Sequence, residues 1–292
     1  FYTSLQFLTN SYTASEMYSD SFLLIRVKTP VIPEIDNDIR SIIEKTLDDA
    51  ADGNNSTGYI TYWRKPKNGM FMSKATGEML AVQMQEYPKY FYIRDSSKFW
   101  NDELKDYMGK DDMTLYDKKW FANNDGSMGY YFQLRDTGSS RVIERLIMLK
   151  GRYMFNMATV TDTLNIKSTF LSDAFSSLRP HEKVMVENMY ENKLSLFFSD
   201  LFSSDSALHK KAQQAISNIY FGTTGAAAVN NAIYRLSIKD KDYFDSKARL
   251  ISELGFIKDS VTDDIPVYLK NIYEQTADTS MFQNEAIMAL AR

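Results

Sequence analysis

The sequence contains no cysteine. That removes disulfide staples, thiolate nucleophiles and every cysteine-based metal site. It leaves the compartment open, because a thiol-free chain suits the cytoplasm and equally an extracytoplasmic space where the fold does not rest on disulfides. Glycine and proline are scarce, at 12 and 6 of 292 residues. This is about half of average usage; it favours long regular elements and excludes collagen-like or low-complexity chains. There are two histidines, His181 and His209, and no H-E-x-x-H spacing, so a histidine-based zinc site is not expected. His181 follows Pro180 and reads as a helix start, and His209 as the exposed face of a helix. Long apolar runs are missing too: Phe22-Leu23-Leu24-Ile25 falls far short of the roughly 20 residues a transmembrane helix needs. Excess positive charge is absent, since 34 Lys+Arg stand against 38 Asp+Glu for a net charge of -4. The one tight basic cluster, Arg64, Lys65 and Lys67, reads as a solvated turn, so nucleic acid is not an expected partner. No G-x-G-x-x-G, P-loop or G-x-S-x-G string exists, which excludes the common phosphate cradles and nucleophile elbows.

What is present is ordinary globular material, with 44% hydrophobic and 25% charged residues. A chain of 292 residues fits two domains better than one. It opens on Phe1-Tyr2 and ends on Ala291-Arg292 inside a helical pattern, and reads as a processed or excised piece of something longer.

Residues 1–30 read as a connector or the tail of a preceding domain, with a short strand over 22–27. Ile39, Ile42, Ile43, Thr46, Leu47 and Ala50 then recur at helical spacing behind a cap at Asp36 or Asn37. After Asp52-Gly53-Asn54-Asn55 the period switches to two. Strands are expected over 57–64, 78–85 and 89–95, separated by Pro66-Lys67-Asn68-Gly69, Thr76-Gly77 and Pro88. A helix capped by Ser96 or Ser97 carries Phe99, Trp100, Leu104, Tyr107 and Met108 on one face. Strands over 113–122, 128–135, 141–149 and 152–158 follow. A helix with Ile166, Phe170, Leu171, Ala174, Phe175 and Leu178 on its apolar face closes the module at Pro180. The reading is an α+β fold over 31–180, an antiparallel sheet with flanking helices (an α/β sandwich). From 181 to 292 the helical period persists to the end, as a short α-α superhelix.

Within 181–292 a repeat is visible. Asp205, Asp240 and Asp278 each close one helix and open the next. The small residues Ala212, Ala248 and Ala286 follow seven or eight positions later. A period in the upper thirties with a small residue on the second helix is what stacked antiparallel pairs produce, and it resembles HEAT or armadillo solenoids. The strand Gly151-Arg152-Tyr153-Met154-Phe155, followed by Phe170-Leu171-Ser172-Asp173-Ala174-Phe175, resembles the end of PsbP-like α/β domains, which implies a binding and scaffolding fold without catalytic residues. Phe7-Leu8-Thr9-Asn10-Ser11-Tyr12 echoes that helix motif. Asp162-Thr163-Leu164, Asp205-Ser206-Ala207 and Asp259-Ser260-Val261 resemble the D-[ST]-aliphatic O-glycosylation signal of extracytoplasmic Bacteroidetes proteins. The α/β module joined to helical repeats resembles pieces of large envelope proteins from the same group. This resemblance implies the periplasm or cell surface; the cytoplasm is not excluded.

The sharpest local string, Asp136-Thr137-Gly138-Ser139-Ser140, resembles the D-T-G-S-S of aspartic proteases. That chemistry needs two carboxylates sharing a proton. No second copy exists, so only a homodimer could complete such a site, and Arg135 directly precedes the aspartate. The competing reading is a hairpin turn with Gly138 at its bend. Acidic pairs Asp48-Asp49, Asp111-Asp112 and Asp263-Asp264 lack the alternating spacing of a calcium loop and read as turns or caps. The aromatic strings Tyr87, Tyr90, Phe91, Tyr92 and Tyr130, Tyr131, Phe132 read as sheet core, with any outward Tyr a partner contact.

The sequence therefore leads to a non-enzymatic protein-interaction or scaffold module of a larger, cell-envelope bacterial protein. Its partners are other proteins, with no cofactor, metal or catalytic residue expected. Two alternatives stand beside it: a homodimeric aspartic protease through Asp136, and a small-ligand carrier with a pocket at the domain junction near Arg179 to Lys183.

Overall fold

The computed structural model describes residues 12–33, 66–108, 113–136, 138–162, 167–222, 224–257 and 264–292. The chain is of the α+β class and divides into two compact units, residues 1–89 with 93–190 and residues 90–92 with 191–292.

The first unit is built on a six-stranded antiparallel sheet of order β3-β4-β8-β7-β6-β5. Its strands are β3 (Lys67–Met72), β4 (Met79–Glu86), β5 (Met113–Ala122), β6 (Met128–Asp136), β7 (Arg141–Lys150) and β8 (Tyr153–Asp162). A second sheet joins β1 (Glu16–Asp20), β2 (Ile25–Thr29) and the two-residue β9 (Arg179–Pro180). Strand alternation puts Leu80, Val82 and Met84 on one face of β4, level with Phe155 and Met157 of β8 and Leu146 and Met148 of β7. Helix α2 (Thr169–Ser177) covers that face with Phe170, Leu171, Ala174 and Phe175, and the β1–β2 hairpin adds Leu23, Ile25 and Val27. The hairpin turn is held by the buried Asp20 carboxylate, which accepts from the backbone N–H groups of Phe22 and Leu23 at 2.8 and 3.0 Å. Gly69 is the reason Leu23 fits, because a Cβ there would lie 2.5 Å from Leu23 Cδ1.

The opposite face of the sheet is covered unevenly. Over β5 and β6, helix α1 (Ser96–Met108) lays Trp100 against Trp120 and Tyr130, with ring centroids 5.2 and 5.7 Å apart. Over β3 and β4, Met70, Met72 and Met79 are exposed.

The expected strands over 78–85, 113–122, 128–135, 141–149 and 152–158 correspond to β4 to β8. The expected helix over 39–50 and strand over 57–64 lie outside the described residues. Five stretches differ from the sequence reading. Residues 66–69 open β3 instead of making a turn: Pro66 sits just before the first ladder residue, and among the described strands β3 lies at the sheet edge, where a missing N–H is tolerated. Residues 89–95 form no strand, because Tyr90 is drawn into the helical unit, where its ring meets Phe197 and its hydroxyl donates to Asp200 at 2.8 Å. Asp95 rather than Ser96 or Ser97 caps α1, its Oδ1 accepting from Lys98 N at 2.9 Å. His181 starts no helix: residues 181–193 run as turns and extended backbone, with the side chains of Asn188 and Asn192 bonding the N–H groups of Tyr190 and Leu194 in competition with a helix. Where the sequence reads 1–30 as a connector, residues 16–29 form the β1–β2 hairpin that supplies part of the core.

The second unit is helical. It comprises α3 (Leu194–Leu201), α4 (Ser206–Ala215) running into a 3-10 turn (Ile216–Asn218), α5 (Ala226–Arg235), α6 (Tyr243–Leu254), α7 (Ile265–Gln275) and α8 (Ser280–Leu290). Helix α3 packs on α4, α5 on α6, and α8 on both α6 and α7. Asp205 and Asp264 cap α4 and α7 by accepting backbone N–H groups, whereas Asp240 bonds the Ser237 N–H in the turn before α6. Ala212 and Ala286 are fully buried and Ala248 is half-buried. Helices α6 and α8 approach closely at Gly255, where a Cβ would lie 2.6 Å from the carbonyl oxygen of Ala289 in α8.

Candidate functional site

The outward half of helix α8 carries no charged side chain at its centre. At 100° per residue, its inner stripe of Phe282, Ala286 and Ala289 is buried. Around the other half run Leu290, Gln283, Ile287, Ser280, Asn284, Met288 and Met281, four apolar side chains, two amides and a hydroxyl, with the half-buried Glu285 at its edge beside Met281. Met281, Leu290, Ile287 and Met288 are between 40% and 51% exposed. An ordinary surface helix would place Lys and Glu there, as α7 does with Lys270 and Glu274. The strip is prolonged at one end by the exposed Phe244, stacked on Phe282 at 5.8 Å. At its other end the Arg292 guanidinium lies 4.2 Å over the ring of the exposed Phe256. Contiguous exposed apolar surface of this kind marks an interaction surface more often than a neutral one.

The carboxyl of Glu253, in the last turn of α6, is buried. Burial pushes its pKa up to about 7, and Arg292 opposes the shift only in part. Arg292 is itself engaged, donating to the carbonyl and hydroxyl oxygens of Ser252 at 3.0 and 2.9 Å. Glu253 was legible only through spacing: with Leu250, Leu254 and Ile257 it falls on the buried stripe of α6.

The sequence candidates are scattered. Asp136 ends β6, and residues 138–140 connect it to β7, with Ser139 Oγ accepting from Arg141 N at 3.1 Å. The string thus occupies a hairpin connection. His181 donates its backbone N–H to Leu24, and its Nδ1 accepts from Lys183 N at 3.1 Å. His209 is half-buried rather than on an exposed helix face: its Nδ1–H donates to the Leu201 carbonyl at 2.5 Å, closing the end of α3. Lys67 lies in β3 with its ammonium 4.6 Å over the Phe22 ring, while Arg64 and Lys65 fall outside the described residues. Asp264 is a cap; the other members of the three acidic pairs fall outside the described residues. Arg179 pairs with Arg26 across β9 and β2, inside the first unit. Among the described residues no group of three or more His, Cys, Asp or Glu could hold a metal, and no helix is long and apolar enough to cross a membrane.

No protein-family model matches the sequence, and no curated protein matches it. A crystal structure at 1.50 Å resolution of a protein from Bacteroides thetaiotaomicron VPI-5482 is similar over 82% of this chain and 77% of that chain, at 8% identity and a TM-score of 0.31.

Proposed function

We propose that this chain is a non-enzymatic module that holds another protein, with the helical unit as its docking surface. The observation that carries the reading is the outer half of α8, without a charge at its centre and flanked by Phe244 and Phe256. Large apolar and aromatic side chains of this kind supply most of the binding energy at protein interfaces. The partner it fits presents an apolar helix or sheet face. Packing of α8 on α6 and α7 and the burial of Ala212 and Ala286 support a HEAT- or armadillo-like stacking of helix pairs, which offers a broad side surface. We place the module in a bacterial cell-envelope protein on the strength of its D-[ST]-aliphatic strings; of these, Asp205-Ser206-Ala207 starts α4, with Ser206 exposed.

The test compares the full chain with its Ile287→Glu/Met288→Glu variant in cross-linking capture from envelope and soluble extracts. Both side chains are half exposed, so the melting temperature should barely move. One defined protein recovered from the envelope fraction by the parent chain and lost with the variant supports the reading. Equal recovery by both chains, or none by either, overturns it.

A further inference from the structure

We propose that the outward methionines of the β3–β4 hairpin, Met70, Met72 and Met79, form a thioether site for copper(I). This site belongs to the first unit alone and does not rest on the docking reading. Register places the sulfurs together: Met72 pairs with Met79, and Met70 pairs with Ala81. Phe71 and Leu80, the alternate residues of the same strands, are wholly buried. Strand alternation therefore turns all three methionines to the opposite face, and a slip of one residue would bury them and expose Phe71.

The backbone beneath the sulfurs is held from two sides. In the turn, the Ser73 N–H donates to the Glu78 carbonyl at 2.9 Å and the Gly77 N–H to the Ser73 carbonyl at 2.8 Å. From the neighbouring β8, the Thr159 hydroxyl donates to the Met79 carbonyl at 2.6 Å. On such a frame paired Cβ atoms stand about 4.5–5.5 Å apart, residues two apart on one strand about 7 Å, and the Met70–Met79 diagonal about 7–8 Å. A point above this triangle is about 4 Å from each Cβ, within the reach of a side chain with three rotatable bonds. Ala81, the small residue opposite Met70, leaves the space beside it open.

The donor type selects the ion. Apolar strand positions are most often filled by β-branched or aromatic residues. Here three of the four outward positions nearest the turn carry unbranched thioethers, each between 47% and 51% exposed. A thioether is a soft, neutral ligand that suits copper(I), whereas zinc, calcium and magnesium call for imidazole, thiolate or oxygen donors. Among the described residues no group of three or more His, Cys, Asp or Glu offers such a competing site.

The probe is copper(I), supplied without oxygen as its coloured bicinchoninate complex to the full chain. Silver(I), its redox-inert stand-in, is titrated against the isotope-labelled methionine methyls. The expected result is withdrawal of copper(I) into a single saturable site, with silver(I) shifting the methyl signals of Met70, Met72 and Met79 together and leaving Met281 and Met288 in place. The double variant Met72→Leu/Met79→Leu keeps the apolar volume and the fold, and should bind at least about tenfold more weakly. If it does not fold, Met72→Leu and Met79→Leu singly test the same triangle. No withdrawal of copper(I) by the parent chain overturns the proposal. So does binding undiminished in the leucine variants, an equal response of the same methyls to zinc, or shifts confined to Met281 and Met288.

Discussion

The two units differ in where their phenylalanines sit and in how their buried acids are paired. In the sheet unit Phe71, Phe132, Phe155 and Phe170 are wholly buried, and Trp100 is buried against Trp120 and Tyr130, while Tyr116 and Trp120 stay exposed. Its buried acids are paired, as in Glu144, whose carboxylate receives Lys167 Nζ at 2.6 Å. In the helical unit Phe244, Phe256, Ile287 and Met288 face outward, while Glu253 lies inside with Arg292 only partly compensating it. The sheet unit buries its phenylalanines and leaves methionines exposed on β3 and β4. The helical unit leaves Phe244 and Phe256 exposed and buries an acid whose ionisation is disfavoured. A domain selected for stability alone would do neither.

The comparison is broken most severely by emptying the sheet core. Phe155→Ala, at a fully buried site on β8, should cost about 3–5 kcal/mol in denaturant titration. A loss below ~1 kcal/mol would mean the sheet is not the packed unit described. Next comes Glu253. Its carboxyl is raised from the ordinary 4.5 to about 7 in the folded chain, so below pH 4.5 folded and unfolded states are both protonated and no penalty exists. As pH rises from 4.5 through 7 the folded state holds a proton that the unfolded state releases, and stability falls by up to about 3 kcal/mol. Glu253→Gln should therefore match the parent at pH 4 and exceed it at pH 8 in thermal melts; a constant offset across that range would contradict the burial argument.

Gly255→Ala probes the close contact of α6 with α8. A methyl 2.6 Å from a backbone oxygen of α8 cannot be met by rotating a side chain, so a loss of about 1–3 kcal/mol is expected from equilibrium unfolding. Smallest is Asp205→Ala, which removes the side chain accepting the N–H groups of Ala207 and Leu208. Far-ultraviolet melts should show a loss of about 1 kcal/mol, with a gain contradicting the cap.

Much of this difference was legible in residue spacing. The alternation in β4 to β8 and the apolar stripe of α2 follow directly from periods of two and 3.6, because each element buries one face. The short β1–β2 hairpin was less visible. Its turn depends on the Asp20 carboxylate and on Leu24 at φ +52, a conformation that leucine does not advertise. Residues 181–193 misled for a related reason: their apolar spacing is compatible with a helix, but Asn188 and Asn192 supply local bonds and Ile93 N–H reaches Met189 O at 2.6 Å. The outer face of α8 could have been read from Ile287, Met288 and Leu290 standing beside the inner stripe. The triangle of Met70, Met72 and Met79 could not, since it exists only when register pairs β3 with β4.

The most direct test of the docking account is site-specific photo-cross-linking in cells that make the full chain, with the photoreactive residue placed at Met288 or, as an exposed control, at Lys270 on α7, whose side chain is 70% exposed. The account predicts one discrete adduct with a second protein from position 288 and none from 270. Adducts of equal yield from both positions, or none from 288, would contradict it.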